Sequence, residues 1–270
     1  MIEEAQDFLQ ECIALHHLVA PLAEADYELP TQFKGWTINN VLQHLHFFNL
    51  AAIHSLTEPA RFDTLYASLN AKRKLGLSTV AATDELLAGV RGPALRELWR
   101  DGFEQTAAAF APVDPRRRVK WAGPDMSARS SISARLMETW AHGQEVYDLL
   151  GVVRQNTDRI RSIAMIGINT YAWTFRNRGE AVPLPMPHVV LKAPSGATWR
   201  WNDPSDDHRI EGLAEEFCWV VTQVRNIKDT RLAVKGGPAT RWMVQAQCFA
   251  GPAQPPPLPG SRGPHIRVKA

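Results

Sequence analysis

Apolar side chains recur every three or four residues through most of residues 1–150, which is the spacing of one face of an α-helix. The first such segment lies near the N-terminus, and the second follows Thr37, a favoured residue at a helix N-cap. Two further substantial helices are predicted, one from about residue 78 to about residue 110 and one over residues 127–151. Four helices with one or two long connections are typical of a four-helix bundle.

The pattern changes in the second half of the chain, where a short alternating segment appears between helical ones. The stretch HVVLKAPSGATWRWND surrounds a Pro-Ser-Gly turn, which predicts two β-strands within residues 188–203. Helical spacing in the same half covers residues 157–179, 212–227 and 237–251. The sequence therefore predicts a mainly α protein with two domains. Residues 1–155 form the four-helix bundle, and residues 156–270 form a smaller α+β domain with a proline-rich tail.

Composition and charge narrow the classes of protein to consider. The chain is 45 % apolar and 21 % charged, and 30 Lys and Arg residues stand against 28 Asp and Glu residues. This balance gives no general reason to expect a nucleic-acid or membrane partner, and the basic run RRRVK is expected to be a solvated loop. The acidic N-terminus does not resemble a signal peptide, and no apolar run approaches the ~18 residues of a membrane span. We therefore expect a cytoplasmic protein.

The three cysteines are far apart and form no CxxC pair. This spacing suggests neither a disulfide framework nor a thiolate zinc site, and each cysteine is expected to be a small buried hydrophobe. Candidate metal ligands come instead from the fourth predicted helix. Its residues Glu138 and His142 are four apart and project side by side, and Glu145 shares their face. Such a pair on an inner face suits a divalent metal, whereas on a solvated face it is only a weak side-chain interaction.

A third ligand is needed to make a metal site, and the second helix offers His44 and His46. Two residues apart on a helix, these side chains point about 200° away from each other, so only one can face a given site. His46 lies near one edge of the apolar stripe, and His44 is flanked by other apolar residues. Periodicity alone does not decide between the two histidines.

Two motifs resemble those of a known family. The stretch GWTINNVLQHL, followed about ninety residues later by RLMETWAHGQEV, resembles the DinB/YfiT-like metalloprotein superfamily, and more closely its mycothiol-dependent maleylpyruvate isomerase-like branch. The resemblance implies a DinB-like metal-binding bundle followed by a smaller C-terminal α/β domain. It selects His44, Glu138 and His142 as the metal ligands. The histidines that it leaves out are His16, His17, His46 and His54.

The same resemblance implies a chemistry. The metal would be Zn²⁺ or another divalent ion such as Ni²⁺ or Fe²⁺, and the cofactor a low-molecular-weight thiol. We expect a thiol-assisted isomerase or transferase that acts on a small unsaturated acid. A metal-dependent hydrolase and a non-catalytic metal-binding or stress-response protein remain as alternatives, and a homodimer is left open. No catalytic residue is assigned, and Arg225 is the candidate cofactor-binding residue, with Arg178 as a second cation to consider.

Overall fold

The computed structural model describes residues 2–264. The chain divides into two compact units, Met1–Leu149 and Leu150–Ala270. Residues 265–270 of the predicted proline-rich tail lie outside the described residues. Among the residues that are described, no helix is both long and apolar enough to cross a membrane.

The first unit is helical, which confirms the predicted fold class for this half of the chain. Its helices are α1 (Glu3–Val19), α2 (Ile38–Thr57), α3 (Pro59–Lys74), α4 (Thr79–Leu86), α5 (Gly92–Phe110) and α6 (Ala128–Leu150), the last of which ends one residue beyond the unit. Helix α2 packs against α5 and α3, and α1 packs against α5. Large buried side chains such as Trp99, Phe103 and Trp140 fill the core of the unit.

Helix α2 begins where the sequence predicted. The Thr37 side chain accepts a hydrogen bond from the Asn40 backbone N–H at 3.2 Å, and the Asn40 side-chain oxygen accepts one from the Thr37 N–H at 3.1 Å. This reciprocal capping box satisfies two backbone donors at the start of the helix. It therefore fixes the position at which the helix enters the bundle.

Two predictions for the first unit were wrong in detail. The third predicted helix is broken into α4 and α5, because Ala88 and Gly89 adopt positive φ angles of 54° and 68° and Pro93 cannot continue a preceding helix. The connection between α5 and α6 contains two short antiparallel strands, β1 (Arg118–Val119) and β2 (Met126–Ser127). The basic run is therefore partly a strand, although its arginine side chains are exposed as expected.

The second unit contains a mixed sheet with helices, which confirms the α+β character predicted for this half. Its strands are β3 (His188–Lys192), β4 (Thr198–Trp201), β5 (Arg209–Leu213) and β6 (Ala233–Lys235), in the sheet order β4-β3-β5-β6. The predicted hairpin is the antiparallel β3–β4 pair, and β3 pairs with β5 in parallel. The helices of the unit are α7 (Arg161–Asn169), α8 (Tyr171–Arg176), α9 (Ala214–Val221) and α10 (Gly237–Met243).

The predicted helices of this unit are longer than the observed ones. The helix over 157–179 is interrupted at Thr170, and the helix over 212–227 ends at Val221, shortly before Gln223 takes a positive φ of 58°. The last predicted helix ends at Met243 rather than near residue 251. Strands β5 and β6 were not predicted, since neither is joined to a neighbouring strand by a short turn like that of the β3–β4 hairpin.

Candidate metal centre

Helices α2 and α6 bring three of the sequence-predicted residues together. His44 lies on α2, and Glu138 and His142 lie one turn apart on α6. One ligand atom from each of the three side chains falls within 4.8 Å of the others. Glu138 Oε2 is 3.1 Å from His44 Nε2 and 3.3 Å from His142 Nε2. The three groups therefore converge on one point between the helices.

This arrangement fits a divalent cation. Metal–ligand distances of about 2.0–2.2 Å in tetrahedral geometry place neighbouring ligand atoms roughly 3.3 Å apart, close to the separations observed here. Two imidazoles with one carboxylate are a ligand set of catalytic zinc sites, in which a fourth position is left for water or substrate. The residues present therefore fit the metal that the sequence motifs imply.

The protonation states of His44 and Glu138 also suit a metal. Burial lowers the pKa of His44 to about 4, even though the nearby Glu138 carboxylate favours its protonated form. Burial would raise the pKa of Glu138, but hydrogen bonds to His142 and His44 hold that pKa well below its usual value. The site thus presents a neutral imidazole and a carboxylate, which are the forms that bind metals.

Aromatic side chains form one wall of the site. The Trp36 indole stacks on the His142 ring at a centroid distance of 5.2 Å with an interplanar angle of 10°, and its centroid is also 5.2 Å from that of His44. Phe33 meets His142 edge-on at 5.1 Å, and Phe48 lies 4.7 Å from His44. These contacts limit the rotation of both imidazoles. The role of Trp36 was missed from the sequence, although its place directly before the Thr37 cap in the GWT motif was a signal.

His46, the alternative ligand on α2, faces a different part of the bundle. Its side chain is buried against α5, where a Cβ atom on Gly102 would lie only 2.8 Å from His46 Nδ1. The absent side chain at Gly102 therefore leaves the space that His46 fills. His16, His17 and His54 also lie outside the cluster of three ligand atoms.

Glu145 was predicted to share the face of the metal ligands. It is buried on α6 but is not part of the group whose ligand atoms converge. On the other side of the helix, Leu136 and Trp140 are buried as well. Helix α6 is thus enclosed on most of its circumference, and Glu145 on it is an interior group.

The two arginines considered for ligand binding lie in the second unit. Arg225 is buried, donates from Nη1 to the Val224 carbonyl oxygen at 3.1 Å, and lies 5.5 Å from the Trp219 ring. Arg178 is half-buried and donates to the carbonyl oxygens of Thr174 and Gln254. Most arginines lie at the protein surface, but Arg225 is buried and Arg178 is half-buried. The cofactor-binding role of Arg225 stays a prediction.

Arg135 is a residue that the sequence reasoning missed. It lies on α6 three residues before Glu138, and only 1 % of it is exposed. Its Nε atom donates a hydrogen bond to Asn49 Oδ1 on α2 at 3.0 Å. An arginine at the start of a motif otherwise rich in large apolar residues was the available signal.

Comparison with known proteins identifies relatives of the chain. The family model for the mycothiol maleylpyruvate isomerase N-terminal domain matches residues 8–147, just over half of the chain. Two uncharacterized proteins of Mycobacterium tuberculosis, from strains CDC 1551 / Oshkosh and ATCC 25618 / H37Rv, are each 38 % identical over 246 residues. The alignment covers 91 % of this chain and 95 % of each relative.

Solved structures show a related fold. The crystal structure of the mycothiol-dependent maleylpyruvate isomerase is similar with a TM-score of 0.54 and 17 % identity, over 81 % of this chain and 87 % of that one. A histidine-to-alanine mutant of that isomerase gives the same TM-score and coverage at 16 % identity. At such low identity this likeness shows the fold alone.

Proposed function

The chain belongs to the mycothiol maleylpyruvate isomerase N-terminal domain family, and from this premise we propose that it is a metal- and thiol-dependent enzyme. The reaction we propose is isomerisation of a small unsaturated acid, or transfer of the thiol to it. The observation that carries the proposal is the convergence of His44, Glu138 and His142 on one point. A divalent metal with a thiol bound to it would supply a thiolate, whose reversible addition to an activated double bond permits cis–trans isomerisation.

The chain's own residues hold and orient that chemistry. His44 and His142 present imidazole nitrogens, and Glu138 supplies the single negative charge of the ligand set. One carboxylate with two neutral imidazoles leaves a positive charge on the centre, which favours an anionic fourth ligand. Trp36 covers both imidazoles, limits their rotation and excludes water from that side of the ligands.

Two alternatives use the same three residues. A metal-dependent hydrolase would hold water at the fourth position, and a non-catalytic protein would bind the metal without turning over a substrate. Thiol binding separates the thiol-dependent enzyme from both. Family membership and the geometry of the ligands support the thiol-dependent proposal, and the test below concerns its thiol.

The test is visible spectroscopy of cobalt-substituted protein titrated with mycothiol, glutathione and a simple thiol. We expect at least one of these to produce a sulfur-to-cobalt charge-transfer band as the thiol loses its proton. The Glu138→Gln variant, treated with cobalt in parallel, should show no such band. His54→Gln is the matched control, because His54 lies on the same helix as His44 but outside the cluster.

The protein's own thiols do not complicate this measurement. The cysteines are all buried, and burial raises the pKa of Cys218 well above its usual value. A cobalt spectrum unchanged by all three thiols, in protein that has taken up cobalt, contradicts the thiol-dependent proposal. Ester and amide substrates would then be tested for the hydrolase alternative.

A further inference from the structure

Arg135 is a buried cation without a carboxylate partner among the residues that the structure describes. Its Nε atom donates to Asn49 Oδ1 at 3.0 Å, and its guanidinium lies 5.8 Å from the centre of the Phe48 ring. Within residues 2–264, no carboxylate oxygen lies close enough to the Arg135 guanidinium to form an ion pair. The charge of Glu138, one turn away on α6, favours the guanidinium cation, but the cost of burial outweighs it. A buried cation without an ion-pair partner is costly, so an arginine in this setting calls for an explanation.

Several hydrogen-bond donors around Arg135 are also unsatisfied. Arg135 Nη2, Asn49 Nδ2 and Ser131 Oγ are buried, and each lacks a hydrogen-bond partner among the described residues. Ser131 lies one helical turn before Arg135 on α6, and Asn49 is the residue that holds the guanidinium. Buried donors of this kind are rare in folded proteins and are normally paired with protein, water or ligand.

These donors lie beside the candidate metal centre. Arg135, Glu138 and His142 follow one another at spacings of three and four residues, so they share a face of α6. Phe48, which packs under the guanidinium, is also the ring that lies 4.7 Å from His44. The charge of Arg135 contributes to lowering the pKa of His44, although burial is the main cause. The cation is therefore within electrostatic reach of the metal ligands.

We propose that Arg135, oriented by Asn49, binds a carboxylate group of the acidic ligand next to the metal centre. The planar guanidinium can present two parallel N–H donors to a carboxylate, a geometry that a lysine cannot provide. A divalent metal, the Glu138 carboxylate and the Arg135 guanidinium together leave a net charge of roughly +2. One thiolate and one carboxylate would neutralise it. The assumption that the ligand is an acid rests on the proposed function. The observation that Arg135 has no ion-pair partner is independent of it.

The experiment is isothermal titration of metal-loaded protein with maleate, a small unsaturated dicarboxylate. We expect binding to the unaltered chain and a loss of at least about tenfold in affinity for Arg135→Gln, with metal content unchanged. Arg135→Lys should recover only part of the loss, because it restores the charge without the planar geometry. Arg129→Gln is the matched control, since Arg129 lies on the same helix but is exposed and pairs with Glu4.

A second variant keeps the test informative if Arg135→Gln does not fold. Asn49→Asp places a carboxylate where Asn49 Oδ1 already accepts from Arg135, and it removes the unsatisfied Nδ2 donor. We expect this variant to unfold at a higher urea concentration and yet to bind maleate at least about tenfold more weakly, because the new carboxylate occupies the guanidinium. A purely structural role for Arg135 would raise stability without changing maleate binding.

The outcomes separate this inference from the proposed function. Maleate affinity that is equal in the unaltered chain and in Arg135→Gln or Asn49→Asp overturns the role of Arg135. So does an absence of maleate binding to metal-loaded protein, even where the cobalt form gives its charge-transfer band. Conversely, maleate binding that depends on Arg135 in protein that binds no thiol supports this inference while the thiol-dependent reaction fails.

Discussion

Replacing Trp36 by leucine tests whether the aromatic wall prepares the two imidazoles for a metal. The indole contacts both rings, stacking on His142 and lying tilted against His44, each with a centroid distance of 5.2 Å. These contacts exist before the metal binds, so their energies largely cancel between the metal-free and metal-bound states. What the substitution changes is the rotational freedom of the rings in the metal-free protein.

The size of the effect follows from that freedom. Immobilising a side chain on binding costs about 0.5–1.5 kcal/mol, and two imidazoles would have to be immobilised without Trp36. Phe33 and Phe48 still restrain one ring each, which places the total in the lower part of the range, at about 1–2 kcal/mol. Metal affinity should therefore fall by a factor of about 5–30.

The assay is competition for zinc between the protein and a chromophoric chelator of known affinity. Trp121→Leu serves as the control, since Trp121 lies 6.2 Å from the Phe48 ring and is one aromatic contact removed from the ligands. We expect the control to bind zinc as the unaltered chain does. An affinity in Trp36→Leu within about twofold of the unaltered chain would refute the argument that the wall orients the imidazoles.

Two further predictions concern buried positions. Gly102→Ala should lower the free energy of unfolding, measured by urea denaturation, by about 1–2 kcal/mol. The added Cβ would lie 2.8 Å from His46 Nδ1, and the cost of this clash outweighs the gain in helix propensity. An increase in stability would contradict the packing described. A chromogenic thiol reagent at pH 8 should label the three buried cysteines, Cys12, Cys218 and Cys248, slowly in the native protein and rapidly in denaturant. Rapid labelling of the native protein would contradict their burial.

Much of the fold was accessible from the sequence because long helices carry their own periodicity. Helix α2 was found from its Thr37 cap and its apolar stripe, and α6 from its length and the glycine that follows it. The break between α4 and α5 was not found, since it depends on the positive φ angles at Ala88 and Gly89 rather than on hydrophobic spacing. Strands β5 and β6 were missed because their neighbours in the sheet come from elsewhere in the chain.

The candidate site divides in the same way. Spacing along one helix predicted that Glu138 and His142 lie side by side, but it could not choose between His44 and His46. The resemblance made that choice, and the structure gives its physical basis, since His46 fills the space opposite Gly102 on α5. Arg135 could not be assigned from the sequence, because its unpaired state depends on which residues of α2 surround it.

We expect His44, Glu138 and His142 to hold one divalent metal ion. The most direct measurement is the metal content per chain after dialysis against zinc, made on the unaltered protein and on the three single variants His44→Ala, Glu138→Ala and His142→Ala. His46→Ala is the control, because it removes an imidazole from the same helix without touching the cluster.

We expect about one zinc per chain in the unaltered protein and in His46→Ala, and loss of most of the metal in each of the other three variants. Circular dichroism on the same samples would verify that the variants are folded. Full zinc occupancy in folded His142→Ala, or loss of the metal in His46→Ala alone, would show that these three residues are not the metal ligands.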